Sequence, residues 1–292
     1  MSQQNLVSVV VISYNAEKYI IETLESIKDQ TYENIELIIS DDASSDRTIE
    51  LAEEWKRKNE TRFAEIIIRA SKENQGVARN CNLGFQLCKG KYTKLIASDD
   101  KLTPDCLEAL VGVCEEKQYQ VVTGKMQSFG SDDVIADVLC NEVFFQQTAS
   151  KQYEELLETN YAAAPTGLYE TAFLKQVGYF DEQYPFMEDY PFWLKITKMG
   201  YKINLCDKVV VHYRRNEDSI TSTTNEKVVG KNYFKTYKKF FYQKKLVPLI
   251  KCKKVRVILR EIKEFIYKDL ILLFGNKRNS KATKVLHKLF YS

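Results

Sequence analysis

The chain has 292 residues, 44% of them hydrophobic and 28% charged, with a formal net charge of +3. That is enough apolar material for one large domain or two ordinary ones, and it excludes collagen, a disulfide miniprotein and wholesale disorder. The longest apolar runs, such as Val9 to Ile12 and Leu270 to Phe274, fall far short of the roughly 20 residues that cross a bilayer, so no transmembrane helix is expected.

The N-terminal residues Met1 to Asn5 lack the basic, apolar and small-residue succession of a secretion signal, so a cytoplasmic chain is expected. Leu6 to Ser13 reads as a buried strand, and Tyr19, Ile20, Thr23, Leu24 and Ile27 recur at helical spacing within 17–29. The alternation continues with strand Ile35 to Ile39, helix Asp46 to Lys58, strand Glu65 to Arg69 and helix Val77 to Leu87. Strand Tyr92 to Ala97, helix Pro104 to Lys117 and strand Tyr119 to Thr123 complete it. Ser45 or Asp46 is placed to cap the second helix, and Pro104 to occupy a first helical position. Strands separated by helices imply right-handed crossovers and an α/β, doubly wound, mostly parallel sheet flanked by helices.

Beyond 125 the rhythm weakens, and an irregular, substrate-facing region over 126–160 is expected, followed by a loop of small residues from Ala162 to Gly167. Glu188 to Met199 is helix-like, Ile203 to Tyr213 strand-like, and the polar residues Asn216 to Asn225 suggest a loop. Cutting the chain at 225 separates two electrostatic characters: 226–292 carries 19 Lys+Arg against 4 Asp+Glu, or +15, and the remainder carries −12. The expected division is a catalytic domain over 1–225, with a nucleotide-binding half at 1–125 and an acceptor-side half at 126–225. A basic helical C-terminal extension over 226–292 follows it.

Seven singly scattered cysteines and two histidines offer neither a disulfide framework nor a structural zinc site. In an open α/β sheet, ligands gather at the carboxyl ends of the strands. There the sequence puts Tyr14-Asn15, Asp41-Asp42, Asn74-Gln75-Gly76 and Asp99-Asp100. Such an anionic edge suits a divalent cation, and Asp99-Asp100 supplies hard oxygen ligands of the kind Mg²⁺ or Mn²⁺ takes. An Asp-Asp pair at a strand end equally serves to cap the next helix. No glycine-rich loop with a following basic residue succeeds the first strand, as a sugar nucleotidyltransferase would require, and the Gly-x-Gly-x-x-Gly of a dehydrogenase is missing there too.

Over residues 6–215 the chain resembles the family 2 inverting glycosyltransferases, which have the GT-A fold and use nucleotide-diphosphate sugars. The resemblance rests on ordered pieces: Val9 to Asn15, Ser26 to Thr48, Asn74 to Asn80, Ala97-Ser98-Asp99-Asp100, Val177 to Asp181 and Glu188-Asp189. It implies that Tyr14, Asn15, Asp42, Gly76, Arg79, Asn80 and Asp99 bind the donor, with Asp42 accepting from the uracil imide and the Tyr14 ring lying against the base. It implies further that Asp100 and Asp99 hold the metal, with His212 as a late metal or phosphate contact; the alternatives are a structural His212, or Arg214 or Arg215 steering the diphosphate without touching it. Ala97 and Ser98 depart from the commonest form, in which another aspartate stands two positions before Asp99.

Glu188-Asp189 matches the acidic pair that supplies the general base, with Asp189 taking the proton of an acceptor hydroxyl. The implied activity is metal-assisted transfer, with inversion, from a UDP-sugar to a glycan or lipid-linked glycan acceptor in surface polysaccharide assembly. The alternative is a non-catalytic nucleotide-sugar or glycan-binding protein, which retention of both acidic pairs opposes. The basic extension interleaves lysines with aromatic and aliphatic residues. It suits packing on the acidic catalytic part, oligomerisation, or peripheral contact with the anionic inner face of the cell membrane; no nucleic-acid reader motif accompanies it.

Overall fold

A computed structural model describes residues 4–130, 138–215 and 227–291. They fall into two compact units, one within Met1–Leu156 and Asn160–Arg214, the other within Leu157–Thr159 and Arg215–Ser292. The boundary expected at 225, and the loop expected over Asn216 to Asn225, lie outside the described residues.

The first unit is built on nine strands: β1 (Val7–Ser13), β2 (Ile35–Asp41), β3 (Glu65–Ala70), β4 (Tyr92–Ala97), β5 (Lys101–Leu102), β6 (Val121–Phe129), β7 (Val138–Leu139), β8 (Gly167–Glu170) and β9 (Asn204–Arg214). They run in the order β3-β2-β1-β4-β8-β6-β9-β5, with β7 beside β6. The half β3-β2-β1-β4 is parallel throughout. The other half is mixed, because β8 runs antiparallel to both β4 and β6 while β6 and β9 are parallel.

Strands β1 and β2 are apolar on both faces because helices cover both. On one side lie α1 (Ile20–Lys28), α2 (Thr48–Asn59) and α4 (Cys106–Lys117). There Ile20, Leu24, Ile27, Trp55, Leu107 and Leu110 meet Val7, Val9, Val11, Leu37 and Ile39. On the other side lies α3 (Val77–Phe85), whose Gly84 lets the helix approach so closely that a Cβ would stand 2.5 Å from Val10 Cγ1. Phe85 continues this layer into an aromatic cluster, 5.2 Å from Phe180 and 6.5 Å from Tyr169, with Trp193 stacked on Tyr169 at 5.8 Å.

Asp46, rather than Ser45, serves the start of α2, its Oδ1 accepting the Thr48 N–H at 3.0 Å. Pro104 precedes α4 instead of opening it: the Cys106 N–H turns back to the Thr103 carbonyl at 3.0 Å, and the Pro104 carbonyl accepts from Thr31. The region expected to be irregular is more ordered than its pattern suggests. Strand β6 runs on to Phe129, and α5 (Glu142–Gln146) and α6 (Ala149–Leu156) follow β7. Register shifts between Thr123 and Met126 interrupt the alternation of β6, and α6 buries only Gln152 and Leu156, so neither leaves a clear apolar period. Two further helices, α7 (Thr171–Val177) and α8 (Asp189–Lys198), flank the way into β9.

The second unit contains α9 (Lys231–Phe240), a π-helical turn (Phe241–Lys245), α10 (Leu246–Lys251), α11 (Val255–Leu273) and α12 (Lys281–Tyr291). Its core gathers Phe234, Phe241 and Phe265, with the last two rings 5.2 Å apart. Among the described residues no helix is long and apolar enough to cross a membrane.

Candidate active site

Because β1 pairs in parallel with β2 and β4, Ser13 stands opposite Asp41 and Ile12 opposite Ala97. Their C-terminal ends therefore deliver Tyr14-Asn15, Asp42 and Asp99-Asp100 to one edge of the sheet. Buried Asp41 works as a clamp, accepting from the Ser13 hydroxyl and from the Ser44 N–H and hydroxyl. Asn15, held at φ 49°, locks the facing loop: its N–H donates to Ser44 Oγ and its Oδ1 accepts from the Ser45 N–H, both at 2.8 Å. With the backbone fixed, the Tyr14 ring is left 53% exposed at the rim.

Asp42 is buried and uses both oxygens on the next loop, accepting the Gln75 N–H and the Gly76 N–H at 2.8 Å each. Gly76 is needed twice over: its φ is +88°, and a Cβ there would lie 2.9 Å from Pro185 Cβ. Arg79 is half exposed and 3.8 Å from Glu182. Asn80 faces the sheet instead of the edge. Its amide donates to the Ser40 carbonyl at 2.8 Å and its Oδ1 accepts the Ser40 hydroxyl at 2.7 Å, so the side chain fixes α3 on β2.

Helix α3 also reaches the acidic pair. Asn82 donates to the Phe180 carbonyl and to Glu182, and accepts the Phe180 N–H, tying down the segment that leads to Glu188. The buried Cys81 thiol is pushed well up by desolvation and then by the charges of Glu188, Asp189 and Asp42, which lie around it. Asp42, Glu188 and Asp189 are thus all close enough to this one side chain of α3 for their charges to act on it.

Asp189 begins α8, and four donors face its carboxylate: the Asn160 amide at 3.1 Å, its neighbour Tyr190 N–H at 2.6 Å, the Ala164 N–H and its own N–H. Trp193, one turn on, donates to the Ala162 carbonyl at 2.8 Å and so fixes the loop that presents Ala164. Burial raises the Asp189 carboxyl above the usual range while these donors oppose the rise. For Glu188 its own N–H opposes the rise, but burial plus the neighbouring Asp189 charge push it up to about 8. Hydrogen bonds to the ionised form favour it, and Asp189 receives more of them than Glu188.

At the other end, Asp100 is buried and pushed well above the carboxylate range by desolvation and by Asp99. Its Oδ1 accepts the Arg214 N–H at 2.8 Å, and its Oδ2 has no hydrogen-bond partner. Arg214 does not stand ready for a diphosphate. Its guanidinium donates to the Asp99 carbonyl and to Glu22, and lies 4.6 Å and 4.5 Å from the Tyr19 and Phe129 rings. Arg215 is exposed. His212 does not join the acidic pair either. It pairs with Lys101 across β5 and β9 and packs on the Phe129 ring at 6.4 Å, and burial followed by the Lys101 charge lowers its pKa. Among the described residues no three His, Cys, Asp or Glu side chains gather as a metal site. A Mg²⁺-type ion needs only one or two carboxylates when phosphates complete its shell, and the orphaned Asp100 Oδ2 beside Asp99 fits that requirement.

Sequence reasoning missed Asn160, which carries no motif, and Lys94. Fully buried in β4, Lys94 donates to the Leu95 carbonyl at 2.8 Å and to the Pro165 carbonyl, next to Ala164. A lysine inside the run Tyr92 to Ala97 was its signal.

The chain is similar to several known proteins. An uncharacterized glycosyltransferase of Haemophilus influenzae is 29% identical over 231 residues, covering 75% of this chain and 68% of the relative. The Escherichia coli UDP-Glc:alpha-D-GlcNAc-diphosphoundecaprenol beta-1,3-glucosyltransferase WfaP is 26% identical over 226 residues, covering 77% and 83%. Among solved structures, Staphylococcus aureus TarS 1-349 in complex with UDP-GlcNAc superimposes with a TM-score of 0.61 at 23% identity, covering 79% of this chain. The chain spans just under two thirds, 64%, of that TarS chain, and the likeness carries the GT-A fold alone. Residues 8–168, more than half of the chain, match glycosyl transferase family 2, and to that family of glycosyltransferases the chain belongs.

Proposed function

We propose that the protein transfers a sugar, with inversion, from a UDP-sugar to a hydroxyl of a glycan or lipid-linked glycan acceptor in surface polysaccharide assembly. The observation that carries this reading is that Asp42, Glu188 and Asp189 all lie close enough to Cys81 of α3 for their charges to act on it, with Asn160, Tyr190 and Ala164 donating to Asp189. A pair so differentiated suits one proton acceptor opposite a donor site. WfaP, by its name a UDP-glucose-using enzyme with a diphosphoundecaprenol-linked acceptor, supports the donor and acceptor classes. TarS, solved with UDP-GlcNAc, supports the nucleotide.

In this reading the Tyr14 ring lies on the base, and the Asp42 oxygens, each with a lone pair beyond its loop contact, accept from the uracil imide. Gly76 keeps the loop close to the nucleotide, and Arg79 offers its donors beside it. Asp99 and Asp100 would hold a Mg²⁺ or Mn²⁺ ion, which supplies positive charge against the two phosphates of the departing UDP. Asp189 takes the proton of the acceptor hydroxyl as that oxygen bonds to the anomeric carbon; the bond to the UDP oxygen breaks on the opposite face, and no sugar–enzyme bond forms.

A panel of UDP- and GDP-sugars, screened for thermal stabilisation with and without Mn²⁺, identifies the donor. With that donor, Asp189→Asn is expected to keep the stabilisation while transfer falls by about 10²–10⁴-fold. Undiminished transfer by this variant removes the assignment of the base, and stabilisation without any turnover by the parent chain favours a binding protein.

A further inference from the structure

Helix α11 is apolar on two opposite faces. Val257, Phe265 and Ile271 are buried in the second unit, whereas Val255, Leu259, Ile262, Ile266 and Leu273 are exposed, Leu259 by 61% and Leu273 by 75%. At 100° per residue the exposed five fall within a sector of about 60°, a continuous stripe along a helix about 28 Å long. Soluble proteins rarely leave such a stripe open unless it binds something. Arg256 and Lys263 lie along its border, and α12, packed on α11 through Tyr267 and Tyr291, adds exposed Lys281, Lys284 and Lys288 beside exposed Val285 and Leu289.

Acidic groups do not offset this charge. Glu261 lies 3.7 Å from Arg260, Glu264 lies 3.7 Å from Lys268, and Asp269 pairs with Lys238, so each described carboxylate of the segment is already matched. The surplus over 226–292 is +15.

We infer that the exposed stripe of α11, with the lysines of α12, is a docking surface for an anionic phospholipid bilayer. An aliphatic face bordered by cations matches the boundary between acyl chains and anionic headgroups. Two copies of so basic a surface repel, and an aliphatic stripe offers a nucleic acid no stacking face. Since no described helix is able to span a bilayer, α11 lies along the surface. The inference is independent of the donor and acceptor assignments, because it reads lipid binding and not turnover.

The test is sedimentation of the full chain with phosphatidylcholine vesicles, with and without about 30% phosphatidylglycerol, at about 0.1 M and 0.5 M salt. Binding to the anionic vesicles is expected to be at least about ten-fold tighter than to neutral ones and to weaken with salt. The double variant Ile262→Ser/Ile266→Ser is expected to lose about ten-fold or more in affinity with its melting temperature kept. The exposed triple variant Lys281→Gln/Lys284→Gln/Lys288→Gln is expected to lose the anionic preference, and it keeps the test decisive if the isoleucine variant misfolds. Equal binding to both vesicle types, or binding unchanged in the triple variant, overturns the inference. So does a dimer that the isoleucine variant dissociates in the absence of vesicle binding, or tighter binding to an oligonucleotide than to anionic vesicles.

Discussion

The Asn160 amide donates to Asp189 Oδ2 at 3.1 Å, so a residue from the loop ahead of β8 holds the carboxylate that begins α8. Asn160→Ala removes a bond that favours the ionised form, and the Asp189 pKa rises. Transfer at pH 7 is expected to fall about ten-fold, and the acidic limb of the pH–rate profile to move to higher pH. A uniform loss with an unmoved limb contradicts this role.

Burial and the neighbouring Asp189 charge push the Glu188 carboxyl up to about 8 from an ordinary value of 4.5. A carboxyl whose folded pKa is raised is harmless below the unfolded value and costs more as pH rises through the folded one. Glu188→Gln is therefore expected to match the parent in melting temperature near pH 4.5 and to exceed it near pH 8. The gain is about 1–3 kcal/mol once solvent access to the pair is allowed for. Thermal scans across that window are sufficient, and a constant difference at all pH values contradicts the raised pKa.

Asp42→Ala leaves the Gln75 and Gly76 N–H groups without their acceptor, at a cost of about 2–4 kcal/mol for two donors. Gly76→Ala forces a side chain into positive φ and against Pro185, at about 1–3 kcal/mol. Donor-induced thermal stabilisation is expected to disappear in the first variant and to weaken in the second. Full donor affinity in both would mean that this loop does not face the nucleotide.

Lys94→Met removes a cation that ties β4 to the Pro165 carbonyl, beside the Ala164 N–H that faces Asp189. Turnover is expected to fall about ten-fold with donor affinity kept, separating an effect on the base from one on the nucleotide site. Burial lowers the Lys94 pKa to about 8 from 10.5, the nearby Cys106 and Asp100 opposing it. Here the unfolded chain binds more protons between those values, so the parent gains stability as pH rises from about 8 to 10.5 and the variant lacks that gain.

Much of the parallel half of the sheet and its edge was legible because β1, β2 and β4 are short apolar runs ending in polar residues. Glu188-Asp189 was legible as a motif, and the resemblance singled out Asp189, but the donors that hold Asp189 were not legible, since Asn160 and Ala164 are distant in sequence. Asn80 and Arg214 show the opposite limit. Their residue types suit a ligand, yet Ser40 claims one, and the Asp99-Asp100 turn with two aromatic rings claims the other. His212 fails similarly, because strand pairing sets it against Lys101. The order beyond 125 stayed hidden behind a bulged strand and a helix that buries a glutamine.

Helix α3 is wedged between the loop that Asp42 secures and the segment that carries the acidic pair, with Gly76 touching Pro185 and Asn82 holding Phe180. If Asp42 binds the donor and Asp189 is the base, as proposed, a bulkier donor that displaced this wedge would drag the proton acceptor with it, and tolerance for altered donors would be mechanically linked to the aim of the attacking hydroxyl.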